Sequence, residues 1–306
     1  MGIDEIQLNF NESTLFLMNV LIGFIMFGVA LDLTVHDFKR TLKSPKPFII
    51  GLTAQFILLP AFTFLLVLLL QPRPSIALGM FLVAACPGGN LSNFLAHLSK
   101  GRTTLSISMS AVSTLLAIIM TPLNTLMWGS FYGPTNDLLR SFMISPTDLI
   151  TTIVILLGIP LTLGMLVNKR FPDWSKKASK WMKRFSIGFF ILFVIGALAN
   201  NFEHFIDYVG MVVFAVFLHN LLAIMIGYSS ARSFGLPERD RRAIAIEIGI
   251  QNSGLGLILV FNFFGGLGGM AIVAAWWSIW HIIAGLTIAS FWSRRPPATE
   301  SEGHAA

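Results

Sequence analysis

Charge is what this sequence has least of. Only 12% of its 306 residues are Asp, Glu, Lys or Arg, where soluble domains carry about 25%. A single cysteine, Cys86, excludes an intrachain disulfide framework and a cysteine-based metal site. Polar stretches long enough to build a soluble domain are missing. No nucleophile–base pair, phosphate-binding glycine loop or zinc-ligand spacing is present, so an enzyme is not expected. The N-terminus, Met1-Gly2-Ile3-Asp4-Glu5, is acidic and lacks the basic n-region of a cleaved signal peptide, so the first apolar run is expected to stay. What fills the chain instead is apolar residues, 55% of the total, with a mean hydropathy of +0.75. That composition describes an all-α polytopic membrane protein.

Nine apolar runs are long enough to cross a bilayer, at about 14–34, 47–70, 75–97, 103–128, 147–168, 185–201, 208–230, 243–264 and 270–292. Of the 21 Lys and Arg residues, all but Arg73 and Arg140 then fall in loops of one side. The positive-inside rule makes that side cytoplasmic, with the N-terminus outside and the C-terminus inside. The net charge of +6 is therefore a topology signal and not a nucleic-acid-binding surface. The basic stretch Lys169–Arg184 also carries Phe171, Trp174 and Trp181. It reads as a cytoplasmic connector, or as an interfacial segment contacting anionic lipid. Asn11-Glu12-Ser13 forms a glycosylation sequon at the outer end.

Polar residues inside the spans carry the functional signal. Glu247 is the one carboxylate well inside a span, and a charge at that depth costs several kcal/mol without partners. It opens the stretch Glu247-Ile248-Gly249-Ile250-Gln251-Asn252-Ser253-Gly254, whose glycines permit a helix break. A second break is signalled in the third span by Cys86-Pro87-Gly88-Gly89-Asn90-Leu91-Ser92-Asn93. In the fourth span Ser106, Ser110 and Thr114 share one helix face, and Gln55 sits mid-way along the second. Irregular backbone at membrane depth belongs where it is buried in protein or lines a cavity. Two such breaks, in spans that run in opposite directions, suggest inverted repeats meeting at a central site. Carboxylate, amide and carbonyl oxygens suit a hard cation, so the expectation is a cation site at mid-membrane. Each feature also has a plainer role: hydroxyls for helix packing, and a protonated glutamate bonded to a neighbouring helix. His281, beside Trp276, Trp277 and Trp280, reads as a packed or interfacial histidine, and His219-Asn220 in the seventh span stays open.

The two motifs, with Gln55 and Trp280-His281, resemble the bile acid:sodium symporter family over essentially the whole chain. The resemblance implies a fold of nine transmembrane helices built as inverted repeats with two crossing discontinuous helices. It implies a core of spans 2–4 and 7–9 and a panel of spans 1, 5 and 6. Two Na⁺ are implied as co-transported ligands. Ser92, Asn93, Ser106, Ser110 and Glu247 would hold the first. Gln55, Glu247, Gln251 and the main-chain carbonyls of Ile248 and Ile250 would hold the second. An organic anion, whether steroid-like or a small carboxylate, would bind near Asn90 and Asn252, with His281 a weaker candidate. The expected activity is sodium-coupled symport by alternating access in the cell membrane, with lipid and no obligate protein partner around it. The alternative is a proton-coupled transporter with Glu247 as the proton carrier.

Overall fold

In a bilayer every backbone N–H and C=O must find a partner within the protein, so an apolar chain winds into helices. The computed structural model describes residues 3–4, 12–34, 45–89, 91–142, 146–199 and 202–297. Among these residues there is no strand, only an isolated antiparallel bridge between Gly88 and Gln251. The helices are α1 (Glu12–Ala30), α2 (Pro45–Thr53), α3 (Leu59–Leu70), α4 (Pro74–Ala85), α5 (Leu91–Leu98) and α6 (Thr103–Phe131). Then come α7 (Gly133–Ser141), α8 (Pro146–Ile153), α9 (Ile159–Arg170), α10 (Pro172–Ala199) and α11 (Phe202–Ser233). The last three are α12 (Glu238–Gly249), α13 (Ser253–Phe263) and α14 (Gly268–Ser293). Among the described residues, five continuous helical stretches are long and apolar enough to cross a membrane: Pro45–Leu70, Thr103–Phe131, Ile150–Arg170, Val212–Ser233 and Gly268–Ser293. The chain is thus an all-helical, multi-pass membrane protein. Asn11, Lys39, Arg40, Lys43 and the candidate substrate residue Asn90 lie outside the described residues.

Two of these stretches carry a π-helical turn, Ala54–Leu58 between α2 and α3 and Val154–Gly158 between α8 and α9. Each runs directly into a proline, Pro60 and Pro160. Proline has no N–H and crowds the carbonyl four residues back, and widening the preceding turn relieves that clash. Gln55 lies in the first of these turns.

The expected third and eighth spans are both interrupted. α4 ends where Pro87 and two glycines follow Cys86, and α5 resumes at Leu91. α12 ends at Gly249, and α13 restarts behind Asn252, whose Oδ1 accepts from the Leu255 N–H at 3.1 Å as an N-cap. α11 lies along α12, α14 packs on α4, and α1 packs on α9 and α10. The α11–α12 approach is close enough that a Cβ on Gly227 would meet the Ala245 Cα at 2.7 Å.

At the basic end of the bundle the two interrupted helices are tied to each other. Arg102 pairs with the buried Asp240 at 2.9 Å, and its N–H donates to Arg239 O at 2.9 Å. The buried Arg242 donates to Glu238, to the carbonyls of Ser99 and Trp292, and to that of Arg295. A buried guanidinium needs all its donors placed, and here one side chain fixes three chain segments together.

Candidate functional site

The two interruptions meet. Breaking a helix leaves backbone groups without partners, and here each break supplies what the other lacks. Gly89 N–H donates to Ile250 O at 2.6 Å, and Asn252 N–H donates to Pro87 O at 2.8 Å. Four further carbonyls at these helix ends are met by side chains. Thr121 Oγ1 donates to Ala85 O at 2.7 Å, and Gln55 Nε2 donates to Cys86 O at 2.9 Å. Asn220 Nδ2 donates to Gly249 O at 2.7 Å, and Gln251 Nε2 donates to Ile248 O at 2.6 Å. Both breaks are thus closed by a threonine or amide from a continuous helix and by a glutamine at the crossing. Thr121 has no role in the sequence reading and Asn220 no assigned one. A single polar residue in an apolar span carries no signal of what it touches.

Against this crossing sits Glu247, buried on α12. Ser92 Oγ and Ser106 Oγ donate to its Oε2 at 2.6 and 2.7 Å, and Ser110 Oγ donates to Oε1 at 2.6 Å. Asn93 Oδ1 lies 2.9 Å from Ser106 Oγ and 3.3 Å from Ser110 Oγ. Ser92 Oγ is 3.5 and 3.4 Å from the other two hydroxyls. Six oxygens from α5, α6 and α12 therefore converge, and three hydroxyl protons are all they share. An acceptor-rich cluster of this kind has the chemistry of a hard-cation site, with one carboxylate sharing its negative charge over two oxygens and four neutral oxygens beside it. Among the described residues no three His, Cys, Asp or Glu side chains gather, so a softer metal has no comparable place. Gly88 makes the approach possible: a Cβ there would overlap the Glu247 carboxylate.

The second expected set is assembled in part. Gln55 and Gln251, both buried, exchange hydrogen bonds of 3.0 and 3.2 Å through their amides. Ile248 O joins them through Gln251, whereas Ile250 O is engaged by the Gly89 N–H. Glu247 turns its carboxylate into the serine cluster, and no hydrogen bond among the described residues joins it to the glutamine pair. Asn252 is half-buried at the head of α13. His281 is buried on α14 with no hydrogen bond to its Nδ1. His219 bonds Thr63 Oγ1 at 2.8 Å and meets Trp277 edge to face at 4.6 Å, the place of a packed histidine.

Comparison with known proteins adds the family. The model of the Sodium Bile acid symporter family matches residues 19–208. An "Uncharacterized sodium-dependent transporter" of Bacillus subtilis, YocS, is 33% identical over 91% of this chain and 83% of its own length. A "Probable sodium/metabolite cotransporter", the chloroplastic BASS1 of Arabidopsis thaliana, is 32% identical over 89% of this chain, which spans 65% of the plant protein. The human ileal sodium/bile acid cotransporter is 29% identical over 78% of this chain and 67% of its own length. The chain belongs to the sodium bile acid symporter family, whose members are sodium-coupled transporters and not enzymes.

Proposed function

We propose that this member of the family imports an organic anion together with Na⁺ by alternating access. The observation that carries the reading is the buried Glu247 carboxylate ringed by Ser92, Ser106, Ser110 and Asn93 beside two interrupted helices. The first Na⁺ takes these side-chain oxygens. The second takes Gln55, Gln251 and Glu247 with the Ile248 and Ile250 carbonyls. Asn252, Asn90 and His281 line the substrate position, where helix N-termini at the crossing favour an anionic group. Sodium orders the crossing, and an ordered crossing receives the anion; that is the coupling.

The architecture proposed with this function has nine spans, the N-terminus outside and the C-terminus in the cytoplasm. Spans 75–97 and 243–264 are the crossing pair of an inverted repeat. They belong to a core with 47–70, 103–128, 208–230 and 270–292, while 14–34, 147–168 and 185–201 form the panel. Two Na⁺ carried with a monoanion move one net positive charge inward. At about 2.3 kcal/mol per 100 mV, an inside-negative potential drives uptake.

The test is sodium-dependent stabilisation of the purified protein, with choline as the control cation and Glu247→Ala and Gln251→Ala beside wild type. A ligand that binds the native state stabilises it by RT ln(1 + [L]/Kd), so the melting temperature rises with Na⁺. The expected result is a sodium-specific rise in wild type that both variants lose. Equal behaviour in sodium and choline removes the symport reading and directs attention to pH-driven transport through Glu247.

A further inference from the structure

The first half of α10 is too charged to lie in hydrocarbon, and nothing in the sodium site uses it. Between Pro172 and Arg184 it carries Lys176, Lys177, Lys180, Lys183 and Arg184 against one acid, Asp173. Its side chains are sorted around the helix. Ser175, Ser179 and Met182 are buried at i, i+4 and i+7. Ser179 Oγ donates to Asp32 Oδ1 at the end of α1, and Met182 packs over Gly28. This face anchors α10 to α1.

Next to the buried face runs a stripe of exposed aromatics. Trp174 and Trp181 are 54% and 60% exposed, two turns apart, and Phe171, also exposed, stands just before the helix. Trp181 stacks on Phe185 at 5.6 Å, and Phe185 on Phe189 at 6.4 Å. Five turns beyond Trp174 the same line reaches Leu192, 71% exposed on the apolar half of α10. The aromatic stripe is therefore continuous with the surface that the membrane-embedded half turns to lipid. On its far flank Lys177, Lys180 and Arg184 project at helical spacing, all exposed. None of the three makes an ion pair with a described residue.

We propose that this aromatic and basic face of α10 binds anionic phospholipid headgroups of the bilayer the helix enters. Tryptophans favour the headgroup level, where an apolar ring and a polar N–H are both accommodated, and unpaired cations beside them take up phosphate charge. A purely electrostatic connector has no need of the aromatic stripe, and a purely apolar contact has no need of the cations. Because the buried face holds α1, the bound lipid also fixes α1 relative to the membrane surface.

The experiment uses the full chain in detergent micelles doped with equal amounts of phosphatidylglycerol and phosphatidylcholine, with retained lipid counted by native mass spectrometry. Wild type is compared with Lys177→Gln/Lys180→Gln/Arg184→Gln. Wild type is expected to enrich phosphatidylglycerol at least about tenfold, and the triple variant to retain both lipids near their mixing ratio. Sodium-dependent melting is expected to be the same in both proteins, which shows the variant folded and separates this outcome from the fate of the sodium site. Equal retention of the two lipids by wild type overturns the proposal and leaves the face to a non-lipid partner. Enrichment that survives in the triple variant overturns it too.

Discussion

Asn19 on α1 and Asn262 on α13 hold each other through both amides, each Nδ2 donating to the other's Oδ1 at 2.9 and 2.8 Å. The second proton of Asn262 goes to Ile258 O at 3.0 Å. α1 otherwise packs on α9 and α10, and this pair joins it to the second half of an interrupted helix. If α1 moves with a panel against the core, the pair opens and closes in each cycle. Interhelical hydrogen bonds in membranes are worth about 1 kcal/mol. Asn19→Leu and Asn262→Leu each strand the remaining amide, whereas the double variant removes the need for a partner. A double-mutant cycle on melting is expected to show a coupling of about 1 kcal/mol. Counterflow exchange in the double variant is expected to change about fivefold with sodium affinity held. Additive melting effects would remove the pair from the mechanism.

Gly88 is held by space and not by backbone conformation, since its φ is not positive; among the described glycines the positive values fall at Gly235, Gly265 and Gly266. A Cβ at position 88 would overlap the Glu247 carboxylate, while one at Gly89 would press on the Gln251 main chain at 3.1 Å. Gly88→Ala is therefore expected to abolish sodium-specific stabilisation, and Gly89→Ala to weaken it. Thermal melts over a sodium titration distinguish the two; an unchanged response in Gly88→Ala would mean the carboxylate has freedom to move aside.

Each serine hydroxyl of the cluster donates its proton to Glu247, and in the proposed site it would instead offer its oxygen to the cation. Ser106→Ala and Ser110→Ala remove that oxygen while leaving the charge. A hydrogen bond to a charged group is worth about 1.5–3 kcal/mol, so the apparent sodium affinity is expected to fall about tenfold or more in each. Ser110→Thr keeps the hydroxyl and is expected to stay near wild type. Sodium titrations of melting temperature read both, and an alanine variant with wild-type affinity would take that hydroxyl out of the site.

The places where the helices break were legible in the sequence because they are local. Pro87, Gly88 and Gly89 remove a donor and the helical bias together, and Glu247 stands out as a carboxylate in an apolar run. Who answers the freed backbone groups was not legible, because that depends on contacts across the chain. Thr121 is 36 residues from Ala85, Asn220 is 29 from Gly249, and Asn19 is 243 from Asn262. The Ile250 carbonyl looks free for a ligand in a linear reading, yet the other break pairs with it. The π-turns before Pro60 and Pro160 had a readable cause in the prolines, and hydropathy alone passes over them.

Thr121 and Asn220 give this its sharpest test. Neither hydrogen-bonds to a described residue of the Glu247 cluster, and each ends one interrupted helix by donating to a carbonyl with no helical partner, Ala85 O and Gly249 O. In hydrocarbon a carbonyl deprived of its donor costs about 1–3 kcal/mol. Thr121→Val keeps the shape and removes only the proton, and Asn220→Leu does nearly the same. Both are expected to lower the melting temperature in choline as well as in sodium. If sodium orders the crossing, they are also expected to shrink the sodium-dependent increment, because a smaller share of the native state then holds the ordered crossing that the ion binds. A lowered melting temperature with an unchanged increment would make the two residues supports of the fold alone. An unchanged melting temperature would mean that water or another donor answers these carbonyls.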